Sequence, residues 1–180
     1  MKPLRFLTSM NNRGIMKFLV KKWAEDAKLP EKSHKDDAGF DCFVRCFKNP
    51  VVKDGKKELV DLDVDEFTLK PLERIGCPLG FATAIPTGFY AAVAPRSGNA
   101  LWKGLSIVNT PGTIDAGYRN EWMAIIVNLS NDTVTIKKRE KICQFIIREL
   151  PETEMQIVDE LPDSDRGLGG FGSTGVNLKK

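Results

Sequence analysis

Turn-forming residues cut this sequence into short apolar segments, and that punctuation restricts the fold more than any other feature. Gly, Pro, Asn and Asp recur between runs such as Phe89-Tyr90-Ala91-Ala92-Val93-Ala94, Met123-Ala124-Ile125-Ile126-Val127 and Ile142-Cys143-Gln144-Phe145-Ile146-Ile147. No segment holds a helical period over a convincing length, and a helix over 24–29 would be too short to stand alone. Many short strands separated by turn signals predict an all-β sandwich or barrel. With 180 residues, 42% of them hydrophobic, the chain is sized for one domain and one core.

The first strand is expected over 16–22, followed by a polar loop over 23–36. The next strand contains Phe40, Cys42 and Val44 alternating with Asp41 and Phe43. On pattern alone Asp41 reads as an outward-facing acid, because burying it unpaired would be costly. Residues 49–65 form a charged excursion around the turn pair Asp54-Gly55, a hairpin arm or surface loop. Residues 89–94 are apolar on both faces, as in a strand covered from two sides. Thr133 to Ile136 alternate cleanly after the Asn131-Asp132 turn. Gln144 is a lone amide in an apolar strand and needs partners. From Pro162 onward apolar content collapses and glycine dominates, so this tail cannot build core and is expected to order only on binding.

Composition narrows the function classes. A net charge of +3 falls short of the clustered excess that marks a nucleic-acid-binding face, so no direct nucleic-acid partner is expected. No run approaches the ~18 apolar residues of a membrane span. Cys42, Cys46, Cys77 and Cys143, with the single His34, do not form a zinc-ligand spacing, and all four thiols lie in apolar stretches. A reducing, cytoplasmic setting follows. Residues 1–15 are basic, with Lys2, Arg5 and Arg13, and read as an N-terminal extension; an organelle import signal fits the same residues. The expected organisation is an extension over 1–15, a β domain over 16–162 and a flexible tail over 163–180.

Three blocks carry chemistry. Gly112-Thr113-Ile114-Asp115-Ala116-Gly117-Tyr118-Arg119-Asn120-Glu121-Trp122 lies between strand-like segments and reads as the tip of a β-hairpin bearing a carboxylate and a phenol, with Gly112 and Gly117 supplying backbone freedom. Taken alone, a hairpin with a solvated acid fits as well. Upstream, Pro95-Arg96-Ser97-Gly98-Asn99-Ala100 ends a strand with an anion-binding set: a planar guanidinium fork, a hydroxyl, and a glycine that lets backbone N–H groups approach closely. Near the end, Arg166-Gly167-Leu168-Gly169-Gly170-Phe171-Gly172-Ser173-Thr174-Gly175 places an arginine and an aromatic among glycines, which a plain linker does not need.

With these blocks in this order the chain resembles, over roughly residues 16–175, the trimeric deoxyuridine triphosphate nucleotidohydrolases (dUTPases). The resemblance implies a distorted jelly-roll (β-clip) subunit, a homotrimer with composite active sites, and Mg²⁺-dependent hydrolysis of dUTP to dUMP and pyrophosphate. Such an activity limits uracil incorporation into DNA and supplies dUMP for thymidylate synthesis. It implies Asp115 as the general base that activates water. Arg96, Ser97 and Gly98 would hold phosphates. Asn109, Thr113, Ile114 and Met123 would line the nucleoside pocket, where main-chain groups read uracil and reject cytosine. Tyr118 would pack on the deoxyribose. Asp41 and Gln144 would hold Mg²⁺ through water, the metal otherwise being carried by the substrate phosphates. Arg166 would reach the terminal phosphates, Phe171 would stack on the base, and Gly172 and Ser173 would wrap the phosphate chain.

The sequence departs from the family pattern at Asn99, where an apolar residue is usual, and at Arg139, where glycine is usual, so the turn at Arg139 is open to a different shape. The related dCTP deaminases share the fold, but the position of their catalytic Glu aligns with Ile125, and they usually carry Trp where this chain has Tyr118. A catalytically silent binding protein on the same fold is the alternative of another class. Intact Asp115, Arg96 and Phe171 argue for an enzyme.

Overall fold

The structure, a computed structural model, describes residues 16–170. Thirteen strands and one short helix follow in order: β1 (Leu19–Lys22), β2 (Phe40–Phe43), β3 (Phe47–Lys53), β4 (Lys56–Leu62), β5 (Glu66–Leu69), β6 (Arg74–Pro78), β7 (Phe81–Ala84), β8 (Phe89–Pro95), α1 (Ser97–Lys103), β9 (Leu105–Ile107), β10 (Gly112–Ile114), β11 (Met123–Asn128), β12 (Val134–Lys137) and β13 (Lys141–Glu149). Every strand pairing is antiparallel.

A four-stranded sheet runs β10-β8-β13-β2 and a five-stranded sheet runs β4-β3-β6-β11-β9. The pairs β1-β7 and β12-β5 complete the structure. The two larger sheets share one core: Cys42, Ala91, Val93, Cys143 and Phe145 come from the first, Ile75, Cys77, Leu105, Ile107, Ala124 and Ile126 from the second. Aromatic rings fill its centre. Phe40 stacks on Phe145 at 5.0 Å, and the fully buried Trp122 lies 4.9 Å from both Phe81 and Phe145. Ring pairs at such spacings add about 0.5–1.5 kcal/mol each beyond the area they bury. The result is all-β, as the turn punctuation predicted, in the distorted jelly roll that the resemblance implied. Residues 49–65 form the hairpin arm β3–β4, turned by Asp54 and Gly55, both at positive φ.

The structure corrects several expectations. The chain has a helix, α1, directly after Arg96, closed by Gly104 in the left-handed conformation at φ 64°. Seven residues leave too little periodicity to detect in sequence. The first strand begins at Leu19, and its residues are exposed while Phe18 packs on the core. β8 is hidden at its edges by β10 and β13 but on one face only by core: Ala91 and Val93 are buried, whereas Tyr90, Ala92 and Ala94 are half-buried.

The central hairpin is real but divided. β9 and β11 pair, with Ile107 opposite Ile126, as expected of the flanking segments. The first part of the tip then leaves for the other sheet, where Gly112 and Thr113 pair with Val93 and Ala92 of β8. Neither Gly112 nor Gly117 adopts positive φ, so the freedom expected of them is not used. Arg139 does adopt it, at φ 65°, a conformation that favours glycine, in the turn between β12 and β13. Among the described residues, no helix is long and apolar enough to cross a membrane.

Candidate active site

Residues named from the sequence fall into two groups on this chain. The first lines an open cleft of about 340 Å³, made by Ser33, Asp37, Ala38, Gly39, Asp41, Arg96, Ser97, Gly98, Gln144 and Ile146. The strand pairing explains why they meet. β13 lies between β2 and β8, with Gln144 opposite Asp41 on one side and opposite Ala94 on the other. Arg96 follows β8 directly, so the guanidinium, the carboxylate and the amide converge at one end of the sheet.

Asp41 is not the outward-facing acid that alternation suggested. It is 8% exposed and ion-paired to two cations. Arg96 Nε donates to Oδ1 at 2.7 Å, while Lys141 Nζ at 2.8 Å and Ser33 Oγ at 3.1 Å donate to Oδ2. Burial alone would raise its pKa, but the hydrogen bonds from Lys141 and Arg96, the charge of Arg96 and the bond from Ser33 outweigh that and hold it below its ordinary value. Single-sequence alternation could not find this, because the partners lie far along the chain.

Gln144 Nε2 donates to the Pro95 carbonyl at 3.0 Å, which leaves its oxygen free of any partner among the described residues. That oxygen reaches over Gly39: a Cβ at position 39 would sit 2.4 Å from it. A side chain there would push Gln144 aside, so Gly39 belongs to the site although sequence reasoning gave it no role. Gly98, by contrast, faces open space, and a Cβ there would meet nothing within 4 Å. Asn99, 7% exposed, donates through Nδ2 to the carbonyls of Lys141 at 2.9 Å and Ile142 at 3.3 Å, which explains a polar residue in this position.

The second group surrounds the divided hairpin tip, and none of it lines that cleft. Asp115 is exposed, and its carbonyl accepts the N–H of Tyr118 at 3.0 Å in a tight turn. Tyr118 is 40% exposed, and its hydroxyl donates to the Glu121 carbonyl at 3.2 Å. Thr113 is exposed and Ile114 packs on the core. The exposed Asn109 lies beside Gly112, its amide nitrogen 3.5 Å from where a Cβ would stand. Met123 opens β11 opposite Pro78, its sulfur lying over Gly76.

What fixes the tip was not assigned from sequence. Trp122 buries its ring and exchanges main-chain bonds with Phe81 and Leu79, at 2.9 and 2.8 Å. Glu121 accepts two bonds from Arg45, at 2.8 and 3.2 Å, and one from the Gly80 N–H at 3.0 Å. Arg119 donates to the carbonyls of Ala116 and Thr83. A paired, half-buried charge pattern of this kind has no local sequence signature.

Arg166 is exposed and turned onto its own segment, Nε donating to the Gly169 carbonyl at 2.8 Å. Phe171, Gly172 and Ser173 lie outside the described residues. Residues 151–170 contain no strand or helix.

Metal ligation can be tested on the cleft's own donors. Among the described residues, no group of three or more His, Cys, Asp or Glu could hold a metal directly. Asp41, the free Gln144 oxygen and the Ser33 hydroxyl are oxygen donors that suit a hard cation through its water shell. They fit a hydrated Mg²⁺ and do not fit a fully protein-ligated ion.

Comparison with known proteins gives a consistent picture. The family model for dUTPase matches residues 60–175. A deoxyuridine 5'-triphosphate nucleotidohydrolase of Fusobacterium nucleatum is 40% identical over 151 residues, covering 84% of this chain and 92% of that protein. A solved dUTPase of Staphylococcus bacteriophage 80alpha, with dUpNHpp, superposes with a TM-score of 0.70 at 27% identity over 89% of this chain and 99% of that one. A dUTPase from phage phi11 of S. aureus, solved with a structural Mg(II) ion, shares the fold with a TM-score of 0.65 at 24% identity, over 82% of this chain and 99% of that one.

Proposed function

The chain belongs to the dUTPase family, and on that premise we propose that it hydrolyses dUTP to dUMP and pyrophosphate at a site built from the two groups above. The observation that carries this reading is the meeting of Arg96, Asp41 and Gln144 in one polar cleft beside the open backbone of Ser97 and Gly98. The cleft's mostly charged and polar lining, with no aromatic ring among its described residues to stack on, suits a phosphate chain better than a base. The tip group supplies the rest: a carboxylate exposed to solvent, a ring that is partly free, and main-chain edges next to β8.

In this mechanism Arg96 exchanges Asp41 for phosphate oxygens, which its planar fork can take two at a time. Ser97 adds its hydroxyl. Asp115 orients a water and takes its proton as the oxygen attacks the α-phosphorus; pyrophosphate leaves in line, its charge compensated by Arg96. Positioning and charge neutralisation do most of the work, since phosphoryl transfer asks little covalent chemistry of a protein. Asp41 and Gln144 would hold Mg²⁺ through its waters, and bound there the ion supplies charge neutralisation on the phosphates. The nucleoside pocket takes Asn109, Thr113, Ile114 and Met123. Uracil is read by main-chain groups and deoxyribose by the Tyr118 ring, which leaves no space for a 2′-hydroxyl. Arg166, Phe171, Gly172 and Ser173 of the tail, residues 163–180, close over the substrate.

The two groups do not share one cleft on a single chain, which supports a homotrimer in which each site takes its tip, its phosphate motif and its tail from different subunits. The half-buried outer face of β8 offers such an assembly a surface to cover. A cytoplasmic setting belongs to the same reading.

The test is incubation with dUTP, dCTP, dTTP and UTP in the presence of Mg²⁺, scoring pyrophosphate. Release from dUTP alone, reduced about 10²–10⁴-fold in Asp115→Asn with dUTP binding kept, is the expected result. Ammonia release from dCTP, or full turnover by Asp115→Asn, would overturn it.

A further inference from the structure

Lys141 has no place in the mechanism above, yet it stands at the centre of the phosphate cleft's ion cluster. Its ammonium is 2.8 Å from Asp41 Oδ2, 3.1 Å from Ser33 Oγ and 3.8 Å from Glu31 Oε1. Strand parity should have prevented this. On β13, Cys143 and Phe145 point into the core, while Gln144 shares a face with Asp41. Lys141 has the parity of Cys143, so a regular strand would aim it at the core. The register slips between Lys141 and Cys143, and one extra residue reverses the alternation. Lys141 thereby emerges beside Asp41.

The irregularity is pinned from outside the strand. Asn99 donates one amide group to the carbonyls of Lys141 and Ile142, at 2.9 and 3.3 Å. An apolar residue at 99 could make neither bond. The residue three positions after Arg96 therefore fixes the stretch that presents Lys141, and the phosphate motif and the lysine are built as one unit.

The charges explain the use. Asp41 is buried between two cations, Arg96 on one oxygen and Lys141 on the other. If Arg96 turns to a polyphosphate, a buried carboxylate would lose its partner, which is expensive unless another cation stays. We propose that Lys141 is a positioning residue: it keeps Asp41 in place while Arg96 exchanges that carboxylate for phosphate. This rests on the reading of Arg96 as the phosphate-binding residue.

The experiment measures pyrophosphate binding by calorimetry without Mg²⁺, alongside steady-state dUTP turnover, for wild type, Lys141→Met, Lys141→Arg, Asp41→Asn and the Asp41→Asn/Lys141→Met double variant. Lys141→Met should weaken pyrophosphate about tenfold and raise KM more than it lowers kcat, the size expected for one hydrogen bond to a charged group. Lys141→Arg should recover most of the loss, and Lys141→Met should add less than about twofold in the Asp41→Asn background, because coupled residues are non-additive. Asn99→Leu, which leaves Lys141 chemically intact, should shift pyrophosphate binding in the same direction. Unchanged binding in Lys141→Met, no rescue by arginine, or an equal loss with and without Asp41 would each overturn the proposal while wild type still hydrolyses dUTP. A wild type that fails to hydrolyse dUTP would instead remove the reading on which it rests.

Discussion

Replacing Arg139 with glycine should stabilise the protein. Arg139 sits at φ 65° in the turn that joins β12 to β13. The left-handed conformation costs a residue with a Cβ about 1–2 kcal/mol. The turn cannot relax it away, because Arg139 N–H donates to the Val44 carbonyl at 2.7 Å and Glu140 N–H to the Lys137 carbonyl at 3.2 Å. The guanidinium is exposed and makes no hydrogen bond or ion pair among the described residues, so its removal forfeits little. Glycine gives back roughly 0.5–1 kcal/mol through the greater freedom of the unfolded chain. The balance is a gain of about 0.5–1 kcal/mol, or about 1–4 °C in Tm for a chain of this length. Urea unfolding followed by tryptophan fluorescence, at one protein concentration, reads it as a raised midpoint at constant slope. Leu72→Gly, at φ 64° and 75% exposed, should move the same way. Gly104→Ala should move the opposite way, since its Cβ would meet Ser130 Cβ at 2.8 Å and the Ser130 nitrogen at 2.9 Å. A lowered midpoint for Arg139→Gly would refute the strain argument and show that the arginine side chain contributes more than the turn loses.

Tyr118→Ala should relax the dUTP/UTP ratio in kcat/KM more than the dUTP/dCTP ratio if, as proposed, the ring reads the sugar and the main chain reads the base; retained preference over UTP would make Tyr118 a packing residue. Truncation after Pro162 should leave melting nearly unchanged and slow turnover, since the described residues beyond it are almost all exposed and outside every strand; loss of assembly would show a structural tail. Asp41→Asn should destabilise the protein near neutral pH. Because the folded carboxyl titrates below its ordinary 3.8, its stabilisation is complete above that value and disappears as pH falls through the lowered one, so the difference from wild type should close in that acid range; a gap that persists there would mean that the charge is not what matters.

Much of the fold was legible because it is written locally. The turn at Asp54-Gly55, the strand around Gln144 and the pairing of the segments on either side of residues 109–122 all follow from period and turn residues that neighbour each other. The features that were missed depend on distance or on brevity. Asp41 looked like a surface acid because its cations lie 55 and 100 residues away. The helix after Arg96 is too short to show a period. The departure of Gly112 and Thr113 to β8 depends on a partner strand, not on the tip's own composition. Arg139 stands where a change of turn shape was expected, and it holds the left-handed conformation that glycine favours. The segment Arg96 to Ala100 was read correctly as following the end of a strand, while its link to β13 through Asn99 could be seen only once both were placed.

The position of β13 carries a consequence for the order in which this protein comes into being. Among the described residues it is the last strand, and it lies between β2, among the first made, and β8. Closing such long loops is slow relative to local turns. During synthesis the carboxylate of Asp41 and the guanidinium of Arg96 leave the ribosome well before Lys141 and Gln144 exist. Until β13 inserts, the edges of β2 and β8 that it covers remain unpaired and open to other chains. The cleft is therefore a record of completed folding: a chain arrested before residue 141 holds Asp37, Asp41, Arg96 and the glycine that makes room for Gln144, but not the strand that brings them to one place.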